Sequence, residues 1–452
     1  MPSQPDHAQL KSFLISPPVQ ADMDAQDPAR PQPIALIITL QESKTEPQSG
    51  VQPSKKYIRE FLEARKYTVY ESDFYIFARL LPADIQDLAQ KKEWVYQIWK
   101  DETCTAHLLS SVDTIKASAG WRAFDARGKG IAWAVLDTGV KADHPHFDDT
   151  VNLSLSRNFS NSKTLDDCNG HGTHVAGIIA GSARPKSDGQ PYRAATLVEW
   201  QDDPEVVDLA GYPSGVAPLT KIINVKVLDD DGTGSASAAI LGLEYVRKLN
   251  QNSRFIVVDG VNLSLGYPFD PKWYGCGHSP LCEEVTRAVR SGLLTVISCG
   301  NSGYGVTKLD NGQEVPTWVD LSITDPANAN EAIAVGSSHK AAPHIYGISY
   351  FSSKGPTGDG RPKPDLVAPG EKVVSCSIHL DKGYEYEEKS GTSMAAPHVS
   401  GAAAAFLSAH PEFRGNPGAV KKILLKSATD LGRASSFQGA GLVDVMRAIM
   451  SV

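Results

Sequence analysis

Ile131-Ala132-Trp133-Ala134-Val135-Leu136-Asp137-Thr138-Gly139 is an apolar run that stops abruptly at an aspartate and a turn. A strand that is apolar on both faces belongs inside a parallel sheet covered by helices on each side. Open sheets of that kind gather ligands at the carboxyl ends of their strands, which is where this run delivers Asp137. Two other segments are built with similar emphasis. Asn169-Gly170-His171-Gly172-Thr173-His174-Val175-Ala176-Gly177 sets His171 at a glycine-flanked helix start. Gly391-Thr392-Ser393-Met394-Ala395-Ala396-Pro397-His398 opens a helix with Ser393 at its mouth, where unpaired backbone N–H groups favour negative charge. Pro397 is expected to fall early enough that its missing N–H need not cost a helical hydrogen bond. Taken singly, each segment has a plain structural reading: a turn aspartate, a capping or metal-binding histidine, a serine N-cap on a buried Ala-rich helix. Three of them in the order Asp, His, Ser are much harder to set aside.

With these segments the chain resembles the subtilisin-like serine proteases. The resemblance extends through Gly215-Val216-Ala217-Pro218, Asn262-Leu263-Ser264-Leu265-Gly266, Cys299-Gly300-Asn301-Ser302-Gly303 and Phe351-Ser352-Ser353-Lys354-Gly355-Pro356. It continues in Lys363-Pro364-Asp365-Leu366-Val367-Ala368-Pro369-Gly370 and Gly439-Ala440-Gly441-Leu442-Val443, so it covers roughly residues 120 to 450. It implies an α/β class fold, a three-layer arrangement around a mostly parallel sheet, and serine endopeptidase activity through an acyl-enzyme. Ser393 is then the nucleophile, too weak to attack an amide unaided. His171 takes its proton and returns it to the leaving amine. Asp137 fixes the histidine tautomer and stabilises the imidazolium. Asn301, with the Ser393 N–H, matches the family's oxyanion hole; in subtilisin itself that asparagine is worth roughly 10²–10³ in turnover. Asp231-Gly232-Thr233-Gly234 and Ser264-Leu265-Gly266 resemble the family's strips that sandwich an extended peptide as an added strand. Gly300 joins them in the wall of the primary pocket. No acidic residue lies in the pocket-wall segments Ser264–Gly266 and Cys299–Asn301, so an apolar or mixed preference is expected.

The chain has 452 residues, 41% of them hydrophobic, enough for two domains with sizeable cores. Residues 1–33, rich in Pro, Gln, Asp and Ser, are expected to be a flexible tail. Residues 34–102 read as β-α-β-β-α-β, the order of a ferredoxin-like α+β unit, with helices over 54–66 and 83–93. By position this unit resembles the family's inhibitory prodomain, with its end in the cleft and self-cleavage near residues 100 to 107. A permanently attached domain is the plainer alternative. Residues 103–452 are the expected catalytic domain, with helices added from Gly418 to Val452.

A formal charge of −8 without a long basic block argues against a nucleic-acid partner. No apolar run reaches ~18 residues, so no membrane span is expected. Residues 1–33 lack a basic start and an apolar core of signal-peptide type, which favours a cytoplasmic location and reduced thiols. Cys276 and Cys282 are close enough in sequence to pair, while Cys168 and Cys299 should border the active site. No cofactor is required by this chemistry and no metal ligands are assigned. Calcium is conceivable, but the family's usual tight site looks absent. His146 and Phe147 follow the His144-Pro145 pair, where many relatives place a calcium-holding aspartate, and an insertion from about Ser182 to Ser214 replaces the calcium loop. Asp202, Asp203, Glu205 and Asp208 in that insertion read as an exposed acidic loop. Protein or peptide substrates and the chain's own N-terminal domain are the expected partners. A latent protease cutting one partner, or a non-catalytic peptide-binding protein on the same fold, are the alternatives.

Overall fold

The computed structural model describes residues 14–27, 30–42, 50–101, 110–197, 204–251, 254–270, 272, 275–308 and 312–452. The chain divides into two compact units, Met1–Thr105 and Ala106–Val452. Cys104 and the expected self-cleavage segment lie mostly outside the described residues.

In the first unit, strands β1 (Ile34–Leu40), β2 (Tyr70–Glu71), β3 (Tyr75–Leu80) and β4 (Val95–Lys100) form an antiparallel sheet in the order β2-β3-β1-β4. Helices Gln52–Glu63 and Pro82–Ala89 supply the two crossings, so the order is the ferredoxin-like one expected. Strand β1 alternates buried and half-buried residues, the signature of a sheet with one covered face. Leu36, Ile38, Ile76, Leu80 and Ile98 pack there against Ile58, Leu62, Ile85 and Leu88. On the opposite face Ile37 pairs with Phe77 and Trp99, and Thr39 with Tyr75. Tyr75 and Trp99 there are 41% and 44% exposed. The expected loose tail is in part structured. Residues Pro17–Asp24 form a helix, Val19 and Met23 enter the core, and the Ser16 N–H donates to the Ile98 carbonyl at 2.9 Å. Two apolar side chains spaced one helical turn apart within a polar segment are enough to dock it.

The second unit contains β5 (Ala132–Asp137), β6 (Arg157–Asn158), β7 (Arg193–Thr196), β8 (Glu205–Asp208), β9 (Lys221–Lys226), β10 (Gly260–Leu263), β11 (Leu294–Ser298), β12 (Tyr304–Lys308), β13 (Glu314–Trp318), β14 (Ile333–His339), β15 (Leu366–Glu371), β16 (Val373–Cys376) and β17 (Tyr386–Lys389). Seven of these make one sheet in the order β15-β14-β11-β10-β5-β9-β6, and every neighbouring pair is parallel. Apolar clusters lie on both faces, as the apolar run of β5 up to Leu136 requires. Helix Thr392–Ala409 is buried almost all round. Its alanines bring it so close to its neighbours that a Cβ at Gly401 would stand 2.5 Å from Val216. Helices Pro417–Ser427, Ser435–Gln438 and Val445–Met450 complete the C-terminal part. No helix among the described residues is long and apolar enough to cross a membrane.

The insertion after Ser182 departs from the expected acidic loop. Strands β7 and β8 form a hairpin that joins β17 and β16 in a second sheet, order β16-β17-β7-β8, so Glu205 and Asp208 sit on a strand. Asp202 and Asp203 lie outside the described residues. Ala194 and Ala195, consecutive and so on opposite faces of β7, are both buried, which means that both faces of this strand are covered and the segment is held in a sheet rather than left as a loop. Behind this sheet the His146 ring bonds the Tyr386 hydroxyl and the Ala180 carbonyl, each at 3.1 Å. An imidazole so engaged offers a calcium ion no oxygen, so this position does not fit the metal.

Burial holds the His146 pKa down to about 3 and that of His398 to about 4, and it pushes His174 well below its ordinary value. These rings stay neutral in the folded chain and take up protons only when it unfolds. Stability is therefore complete above pH ~6.5 and falls as pH drops, by about 1.4 kcal/mol per pH unit for each ring. Urea titrations of a Ser393→Ala variant at pH 6.5 and 5 should lose roughly 4–6 kcal/mol across that interval. A flat profile would contradict three neutral buried imidazoles.

Candidate active site

Asp137, Leu263 and Ser298 end β5, β10 and β11, three parallel strands whose carboxyl ends point the same way. Asp137 is fully buried, and its Oδ1 accepts the Thr138 N–H at 2.8 Å. His171 begins helix His171–Ile179 and places its Nδ1 2.7 Å from the same Oδ1. The approach is possible because residue 172 is glycine: a Cβ there would stand 2.1 Å from the Gly139 carbonyl oxygen. Burial alone would depress the His171 pKa. The charge and hydrogen bond of Asp137 outweigh it, with Lys389 opposing, and the pKa is raised. The ring keeps 26% of its surface exposed, so it can reach a substrate.

Asp167, which the motif reading passed over, organises this corner. Its Oδ1 accepts from the Thr138 hydroxyl and from the Asn169 and Gly170 N–H groups. Its Oδ2 accepts from the N–H and hydroxyl of Thr173, and Thr138 Oγ1 in turn accepts the Gly172 N–H. An acidic residue four positions before a helix start was the available signal, since first-turn N–H groups attract a carboxylate.

Ser393 is the second residue of its helix, with Gly391 as the N-cap, so the serine-cap reading gives way to a first-turn position. Its N–H therefore has no intrahelical acceptor. Pro397, contrary to expectation, lies inside the helix and leaves the Ser393 carbonyl without its i+4 N–H donor. The partly exposed hydroxyl donates to the Ser264 carbonyl at 3.2 Å, and the Ser264 hydroxyl donates to the Ser393 carbonyl at 2.9 Å. Asn262 ties Ser264 to Ser400 deeper in the helix, with both bonds at 2.9 Å. Asn301 Oδ1 accepts the N–H and hydroxyl of Thr392 at 2.9 and 3.0 Å. Its Nδ2 is left as a donor on the Gly391 side, 3.4 Å from where a Cβ at 391 would stand.

His171, Asn301 and Ser393 open on one cleft of about 610 Å³, together with Gly232, Thr233, Gly234, Ser264, Leu265, Gly266 and Gly300. Asp137 stands behind His171. Thr324 also lines this cleft and was not anticipated. Cβ atoms at Gly266 and Gly300 would meet its side chain at 3.0 and 2.8 Å, so it closes the space between the two glycine walls. Among the described residues the lining carries no carboxylate, lysine or arginine. Cys168 is an exposed free thiol two residues before the N-cap of the His171 helix. Cys299 is buried with its thiol pushed up to about 12 by burial, which makes it inert packing. Cys276 and Cys282 are both free, so the suggested pairing is not formed. No metal-holding group of three His, Cys, Asp or Glu occurs among the described residues.

Comparison with known proteins returns one family and a consistent set of relatives. Residues 128–442 match the family described as the subtilase family. Serine protease AprX of Bacillus subtilis (strain 168) is 31% identical over 343 residues, covering 71% of this chain and 66% of that protein. The chain thus spans just under two thirds of that relative. An intracellular serine protease of Paenibacillus polymyxa is 31% identical over 356 residues, 77% of this chain and 88% of that protein. The major intracellular serine protease of Bacillus subtilis (strain 168) is 34% identical over 304 residues, 66% of this chain and 74% of that protein.

Proposed function

The chain belongs to the subtilase family, a family of serine endopeptidases, and from that premise we propose that it cuts peptide bonds through Ser393, His171 and Asp137. The carrying observation is the 2.7 Å contact between His171 Nδ1 and buried Asp137, in a cleft that also holds Ser393 and Asn301. The Ser393 hydroxyl turns from the Ser264 carbonyl to His171 Nε2, loses its proton there and attacks the substrate carbonyl carbon. The oxyanion is held by Asn301 Nδ2 and the Ser393 N–H. His171 then protonates the departing amine, leaving an acyl-serine that water hydrolyses by the same steps. The reaction asks for no cofactor.

A cleft without charged walls favours uncharged side chains beside the cut bond. Residues 34–102 act as a restraint in this reading; their support is the ferredoxin-like order and the open aromatic face of Tyr75, Phe77 and Trp99. Two of the relatives are named as intracellular proteases, and we extend that location to this chain.

Asn301→Asp tests the oxyanion reading. A carboxylate keeps an acceptor for Thr392 but replaces the Nδ2 donor with negative charge facing the developing oxyanion. Turnover of a quenched peptide should fall by at least ~10²-fold with KM little changed. A loss below fivefold would contradict the role given to Asn301.

A further inference from the structure

Between Asn301 and Thr324, both on the cleft wall, the chain leaves the sheet and forms the β12–β13 hairpin. Tyr304 pairs with Trp318 and Val306 with Pro316, and side chains two apart on a strand share a face. The half of this face nearest the cleft is therefore apolar, with the charged pair Lys308 and Glu314 beyond it, and it is uncovered: Tyr304, Val306 and Trp318 are 40%, 62% and 57% exposed. Tyr350, 58% exposed, extends the patch with its ring 5.9 Å from that of Tyr304. Contiguous exposed aromatics of this kind mark binding surfaces on folded proteins.

The base of the ribbon is firmly fixed. Gly303 donates to the Phe351 carbonyl at 2.9 Å and accepts from the Val319 N–H at 3.1 Å. Buried Lys354 donates its ammonium to the Gly303 carbonyl and sits 4.0 Å from the centre of the Trp318 ring. Tyr304 meets Trp318 edge-on at 5.1 Å. These aromatics are thus held in place before any ligand arrives, which lowers the ordering cost of binding.

We propose that this face is a second docking site for the polypeptide being cut, taking an aromatic or large aliphatic side chain several residues away from the scissile bond. The inference rests on the endopeptidase reading above. The occupant follows from continuity: residues 301 and 302 at one end of the hairpin and 324 at the other line the cleft. A substrate leaving the cleft along that wall meets Tyr304 and Trp318 first.

The test compares wild type with Tyr304→Ser/Trp318→Ser and with Val306→Ser, whose exposed side chain takes no part in fixing the base. Active enzyme is counted by fluorophosphonate titration. A blocked tetrapeptide anilide, too short to reach the hairpin, is set beside twelve-residue quenched peptides carrying one Trp at successive positions. The expected result is one preferred Trp position in the wild type. For that peptide the double variant should lose about tenfold in kcat/KM, chiefly through KM, or about 1.4 kcal/mol, with a smaller loss in Val306→Ser. Hydrolysis of the tetrapeptide should stay within twofold. Equal losses on both substrates, or no preferred Trp position, would overturn the docking site. So would a change in sedimentation, which makes a second copy the occupant, or faster tetrapeptide cleavage, which assigns the face to residues 34–102. Absence of any fluorophosphonate labelling would instead strike at the endopeptidase reading itself.

Discussion

Ser393→Ala should abolish peptide hydrolysis, lowering turnover by about 10⁶, the size of the same deletion in subtilisin itself. The described cleft offers no carboxylate, lysine or reactive thiol as a substitute nucleophile: its lining has neither of the first two, and the Cys299 thiol is buried and held protonated. The fold should not register the change. The Ser393 hydroxyl makes one bond, 3.2 Å to the Ser264 carbonyl, from a partly exposed position worth about 1 kcal/mol at most. The bond from the Ser264 hydroxyl to the Ser393 backbone carbonyl survives. The variant also bears on the N-terminal unit. If the wild type trims itself near residues 100 to 107, Ser393→Ala should keep its full mass under conditions where the wild type shortens. Shortening of both would point to another protease, and shortening of neither to a permanent domain.

Asp137→Asn should cost about 10⁴ in turnover, the scale found for the equivalent change in related triads. The amide has two ways to lie in this buried site, and both fail. With Nδ2 toward His171 the ring is locked with its proton on Nε2 and cannot accept one from Ser393. With oxygen toward His171, Nδ2 takes the place of Asp137 Oδ2, which has no hydrogen-bond partner, and a buried donor goes unsatisfied. The carboxylate charge is gone either way. In the wild type the raised His171 pKa means that activity is lost as pH falls through a value above ~6.5, because only the neutral ring serves as base. In the variant burial and Lys389 act unopposed by Asp137, so the acid limb of the residual kcat/KM should move to lower pH. An unmoved limb would mean that Asp137 does not set the His171 charge.

The parts of this site that the sequence disclosed are those whose chemistry is local. An apolar strand ending in Asp137, a glycine-flanked helix start at His171 and a small-residue helix behind Ser393 each carry their own signal within nine residues. Asp167 carries almost none, because its five hydrogen bonds form only once Thr138, Asn169, Gly170 and Thr173 have been folded around it. Thr324 is similar: it becomes a wall of the cleft only where Gly266 and Gly300 meet it. The insertion after Ser182 read as a loop because its partner is remote, with Ala194 and Ala195 pairing with Tyr386 and Glu387. The helix at Pro17–Asp24 escaped notice because composition dominated a segment in which two apolar residues suffice for docking.

The most direct measurement is to locate a fluorophosphonate adduct by digestion and mass spectrometry on enzyme whose peptide hydrolysis is followed alongside. The account predicts one adduct, on Ser393, accumulating in step with the loss of hydrolysis and absent from Ser393→Ala. Hydrolysis that persists with Ser393 fully modified, or inactivation with the adduct on another residue, would contradict it.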